Sequence, residues 1–241
     1  MAPDPVRRIA AEALGSALLL AVVVGSGVMG ARLAGGIVGL ALLANALATG
    51  AALTVLVMVF EPVSGAHLNP AVTLAFALRD RGGWRLPMAY VAAQIAGGSA
   101  GVLAAHAMFA LPILEVSSRM REGAGQGLSE LVATFGLVLT IFGTAASRPR
   151  AIPAAVGLYI GSAYWFTAST AFANPAVTLA RCLTDTFAGI APASAPQFIV
   201  AQLTGALIAI AVCSWLFRPT PQREADGPAP NSALPDSAGS R

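Results

Sequence analysis

The chain has 241 residues, of which 56% are apolar and only 10% charged, whereas a soluble domain carries about a quarter charged residues. So little polar surface cannot cover a globule in water, and an all-α membrane protein is expected. The net charge is +3, and all 14 basic residues are arginines. They fall at segment ends and not along one basic face, which argues against nucleic acid as a partner and for a lipid bilayer.

The first apolar run, about residues 8–30, is too long for the core of a signal peptide and lacks a small-residue cleavage site, so it is expected to stay as a helix. Five more apolar stretches follow, at about 37–60, 85–110, 126–146, 152–169 and 196–217. Each is near the ~20 residues that a bilayer requires. Segments 70–79 and 175–183 are apolar enough to enter a membrane but too short to cross it. Half-helices of this kind persist at membrane depth only where protein or a watery cavity surrounds their ends. Residues 218–241, rich in Pro, Ala, Ser, Asp and Gly, show no periodicity and read as a disordered cytoplasmic tail after an apolar domain of residues 1–217.

Asn69–Ala75 reads N-P-A-V-T-L-A, and Asn174–Ala180 repeats the same letters 105 residues later. The repeat is wider than the heptapeptide. Glu12 with Gly15 is echoed by Glu130 with Gly136, and Ala93-Gln94-x-x-Gly97 by Ala201-Gln202-x-x-Gly205. The halves, about 8–110 and 126–217, each hold three spans and one half-helix. An odd number of spans inserts the second half upside down, so the repeat is inverted. With the N-terminus inside, ten arginines are cytoplasmic and four (Arg32, Arg119, Arg121, Arg181) are not, the expected bias for a plasma-membrane protein with both termini cytoplasmic. Small residues at Ala93, Gly97 and Gly101, at Ala201, Gly205 and Ala209, and at Gly157 and Gly161 mark faces where helices pack closely in lipid.

The motif has a physical reading. Proline suits a first helical turn, and the asparagine before it is a good cap. Two such helices entering from opposite faces bring their positive ends to one midplane point. There the Asn69 and Asn174 amides can donate to a passing oxygen, and the fixed dipole ends repel cations and protons.

These residues resemble the aquaporin and aquaglyceroporin family, also called major intrinsic proteins. The resemblance spans about residues 8–217 and rests on S-G-A-H-L-N-P-A-V at Ser64–Val72 and F-A-N-P-A-V at Phe172–Val177. It implies six transmembrane helices plus two re-entrant half-helices, a homotetramer with a pore in each subunit, and pore motifs Asn69-Pro70-Ala71 and Asn174-Pro175-Ala176. It also implies that Glu12 and Glu130 accept hydrogen bonds from the re-entrant loops. His67, in the first of these loops, is a candidate for touching the pore.

The family's four-residue selectivity filter maps by spacing onto Thr49, Ser162, Ala171 and Val177. Val177 stands where the family has its arginine. This ring lacks an aromatic and a guanidinium, which implies a wide pore admitting solutes larger than water. Arg181, one turn beyond Val177, either restores some charge at the outer mouth or complements the end of the half-helix. A valine at this position is similar to a bacterial subgroup associated with arsenic resistance. That likeness implies arsenite-like neutral hydroxides and methylated arsenicals, while glycerol and urea stay open as solutes beside water.

Two other readings are open. Inverted repeats with broken helices also build ion-coupled secondary transporters, in which Glu12, Glu130 and Glu61 would carry protons. A structural membrane protein with a closed pore is the third. Enzymatic activity is not expected, for the sequence has no nucleophile with a plausible base, no metal-ligand cluster and no phosphate-binding loop. No cofactor is implied. Cys182 and Cys213 read as packing residues, and His106 stands without ligand partners.

Overall fold

The computed structural model describes residues 4–217, so residues 218–241 and the expectation of a disordered tail lie outside it. Helix α1 (Pro5–Leu33) starts on a proline, with the Asp4 carboxylate accepting from the Val6 amide at 3.2 Å. Helix α2 (Val38–Ser64) ends at Gly65, whose φ of 90° closes the helix in the left-handed conformation. The short α3 (Pro70–Asp80) precedes α4 (Arg85–Met108). The second half repeats the order with α5 (Ala124–Ser147), α6 (Ile152–Phe166), α7 (Pro175–Ala180) and α8 (Ala195–Leu216).

Five of these helices, α1, α2, α4, α5 and α8, are long and apolar enough to cross a membrane. The remaining span, fifth in chain order, is shorter than the sequence suggests. Helix α6 has 15 residues, and the chain turns extended at Thr167, so the helix is only about 22 Å long at 1.5 Å per residue. A 3-10 turn, Pro149–Ala151, adds to it at its start. The second re-entrant segment is likewise composite, α7 running into a 3-10 turn at Arg181–Leu183.

Helix α1 packs on α4 and α2, α5 on α8 and α6, and α2 on α6 across the two halves. The close pairs depend on missing side chains. A Cβ at Gly97 or Gly101 would run into the backbone of Ala13 or Ala17, and one at Gly205 into Leu131. Such approaches give helices contact area in lipid, where no hydrophobic force drives them together. Each half-helix touches both halves, α3 packing on α4 and α8, and α7 on the same two. Arg8 donates to the Tyr90 hydroxyl at 2.8 Å, so α1 and α4 start at the same face, called here the termini face.

Candidate pore and its lining

The two re-entrant loops share one backbone design. Ala66 (φ 47°) and Leu68 (φ 48°) lie three and one residues before Asn69, and Ala171 (φ 45°) and Ala173 (φ 48°) hold the same offsets before Asn174. Non-glycine residues rarely occupy this region, and they persist only where the surroundings hold them. Here a buried carboxylate does so in each half. Glu12 accepts from the His67 amide (2.9 Å), the Leu68 amide (2.6 Å), the Ser64 hydroxyl (2.6 Å) and Gln94 Nε2 (2.7 Å). Glu130 accepts from the Phe172 and Ala173 amides at 2.9 and 2.8 Å and from Gln202 Nε2 at 2.6 Å.

The glutamines have a role that sequence reasoning missed. Gln94 also donates to Thr73 Oγ1 at 3.0 Å and Gln202 to Thr178 Oγ1 at 2.9 Å. Each glutamine thus ties the loop-holding carboxylate to the threonine of its half-helix. The signal was present in the paired Ala-Gln and in the threonine of each heptapeptide, although separation in sequence hid the contact.

The half-helix tips meet. Asn69 caps α3 by accepting from the Ala71 amide at 2.9 Å, and Asn174 caps α7 by accepting from Ala176 and Val177 at 2.9 and 3.2 Å. Their amide nitrogens cross over, Asn69 donating to the Ala173 carbonyl at 2.7 Å and Asn174 to the Leu68 carbonyl at 2.8 Å. A side-chain amide has two N–H groups. One is used to lock the facing loop, and the lock aims the other.

Both asparagines line one cavity of about 280 Å³. It extends from Glu61, Gly65, Ala145 and Ile152 near the termini face, past Asn69 and Asn174, to Thr49, Tyr164 and Arg181. Most of its wall is aliphatic, with Val72 and Val177 beside the motifs. His67 also lines it, stacked on Phe76 with ring centroids 4.7 Å apart and Nδ1 3.2 Å from Thr73 Oγ1. Thr49, Ala171 and Val177 also lie on this cavity.

Ser162 does not. It is exposed, and its hydroxyl donates to the Tyr159 carbonyl one turn back at 2.7 Å. Helix α6 instead turns Ile160 and Tyr164 to the cavity. These two are four residues apart on one face, and Ser162 lies midway between them on the other. Counting back from Asn174 fails because the irregular chain from Thr167 to Ala173 does not keep a helical phase. The cavity wall also carries aromatic and guanidinium groups. Tyr164, whose hydroxyl is 3.4 Å from Thr49 Oγ1, lines the cavity together with Phe172 and Arg181.

Among the described residues no group of three His, Cys, Asp or Glu side chains could hold a metal ion. Cys182 and Cys213 are free and buried.

Two capped half-helices meeting inside a bundle of membrane helices, with one cavity running past both tips, define a membrane channel for water or small solutes and not an enzyme. The chain belongs to the major intrinsic protein family, which it matches over residues 2–168 and 150–234. It is 55% identical over 216 residues to the aquaglyceroporin AqpS of Rhizobium meliloti, covering 90% of this chain and 92% of that protein. The lens fiber major intrinsic protein of Gallus gallus is 31% identical over 223 residues, covering 86% and 82%. The fold is similar to that of the aquaglyceroporin from Plasmodium falciparum, with a TM-score of 0.69 at 19% identity, covering 89% of this chain and 96% of that one.

Proposed function

We propose that the protein is a passive channel for small uncharged solutes broader than water alone, including glycerol-like polyols, urea, arsenite-like hydroxides and methylated arsenicals. The observation that carries this reading is the single cavity shared by Asn69 and Asn174. A solute there meets amide donors on one side and an aliphatic wall on the other, the pairing that suits molecules with both polar and apolar faces. The likeness to a protein named an aquaglyceroporin supports the same class. In this reading the protein is a homotetramer in the plasma membrane with its termini in the cytoplasm.

Ion coupling through Glu12 or Glu130 is disfavoured by the surroundings of these two carboxylates. Glu12 and Glu130 are fully buried and taken up by loop amides and glutamines, so proton loss and gain would release the loops that build the pore. Stopped-flow shrink–swell measurements on proteoliposomes test the proposal with water, glycerol, urea, arsenite and a methylated arsenical. Rates above those of empty liposomes, non-saturating and unchanged by a pH gradient, are expected. Passage of water alone would overturn the broad solute class, and gradient-driven accumulation would overturn the channel.

A further inference from the structure

We propose that Arg181 is the residue that sets the outer constriction of this pore, in place of an arginine at position 177. The inference rests on the channel reading above and names its specificity-determining group. Val177 and Arg181 are four residues apart across the end of α7 and its 3-10 turn, so they share a face. Both line the same cavity, and the small valine leaves room there for the guanidinium.

The arrangement holds the guanidinium in place. Its carbon lies 3.4 Å from the centroid of the Phe172 ring, and Nε donates to the Ala188 carbonyl. Phe172 is itself fixed, its amide on Glu130 and its ring edge-on to Phe198 at 5.1 Å. Arg121 braces the same loop, donating to the Gly189 carbonyl at 3.0 Å and the Ser169 carbonyl at 3.3 Å, and its guanidinium carbon is 5.1 Å from the Phe172 centroid.

Stability does not account for this group. Arg181 is 2% exposed, yet its side chain makes one hydrogen bond among the described residues, and Nη1 is buried without a partner. A buried cation with an unmet donor destabilises a fold unless something else requires it. What requires it here is the cavity that it borders. A planar cation beside the lumen narrows it for carbon-bearing solutes and raises the barrier to cations. The pore is thus bare at Thr49, Ala171 and Val177 and closed down one turn further out.

Two readouts in proteoliposomes test this: the ratio of five-carbon polyol flux to water flux, and cation leak. Arg181→Leu is expected to raise the flux ratio by about tenfold, the scale at which a pocket discriminates by size, and to admit cations. Arg181→Lys is expected to raise the ratio while still excluding cations, because it keeps the charge and loses the stacked plane. A purely structural role would lower all fluxes together and would not separate size from charge. An unchanged ratio in either folded variant, or failure of Arg181→Lys to fold, overturns the proposal. Wild-type liposomes no more permeable than empty ones would instead sink the channel reading itself.

Discussion

The side-chain nitrogen of Asn69 donates to the carbonyl of Ala173 at 2.7 Å, joining residues 104 apart in the chain. The mirror bond from Asn174 to Leu68 makes the tips of α3 and α7 a mutual lock. Asn69→Ala removes both a helix cap, costing about 0.5–2 kcal/mol, and one cross-loop hydrogen bond, about 0.5–1.5 kcal/mol net. A loss of about 1–3 kcal/mol is expected in detergent unfolding, with reduced water flux. Unfolding identical to wild type would mean the lock does not hold the loops.

Glu12→Gln distinguishes an anchor from a proton carrier. The carboxylate accepts four hydrogen bonds on two oxygens. Glutamine has one acceptor oxygen and turns an NH2 group toward other donors. At least one loop donor is then left unpaired, at about 1–3 kcal/mol. Stability and flux should fall together, measured by thermal melting and by shrink–swell rates per folded protein. A stable variant that lost only its response to a pH gradient would point to ion coupling.

Ser162 and Tyr164 are two residues apart on α6, but on different sides of the helix. Ser162→Phe should leave stability within about 0.5 kcal/mol, as surface changes usually do, and leave the solute profile intact. Tyr164→Ala should raise glycerol flux relative to water by roughly tenfold, the scale of size discrimination by a pocket. The reverse pattern in a shrink–swell panel would restore Ser162 to the filter.

Gly205→Leu should separate α5 from α8, because a Cβ there meets the Leu131 backbone. Overpacking costs about 1–3 kcal/mol, and backbone cannot move aside as a flexible side chain can. Gly39→Ala is the matched control, since nothing lies within 4 Å of the added carbon. Melting curves of the two variants should differ clearly, and coincidence would remove the close-packing argument.

Asp185 lies in the loop between α7 and α8. The Ser118 amide at 2.9 Å and the Ser118 hydroxyl hold its carboxyl below the ordinary carboxylate range. A depressed folded value means the contact's contribution is complete at neutral pH, persists above the unfolded value, and fades as acid takes the pH down through the folded one. Hydrogen exchange at the Ser118 amide should therefore show the same protection factor at pH 7 and pH 5, and a smaller one near pH 3. A protection factor that did not fall in acid would show that Asp185 is not what orders the segment.

Much of this molecule was legible in its letters. The twin heptapeptides, the doubled Glu and Gln and the length of the apolar runs were enough to reveal inverted halves and both capped tips. These signals are local, depending on a proline's missing N–H, an asparagine's reach and the bilayer's thickness. The lining was not legible in the same way. Whether Ser162 or Tyr164 meets the lumen depends on the rotation of α6, and the irregular loop after it erases the count. That Arg181 borders the same cavity as Val177 and stacks on Phe172 depends on a ring that another helix, through Phe198, holds in place. Spacing along a chain carries phase only while the helix is unbroken, so the pore wall was decided by the packing of helices against one another.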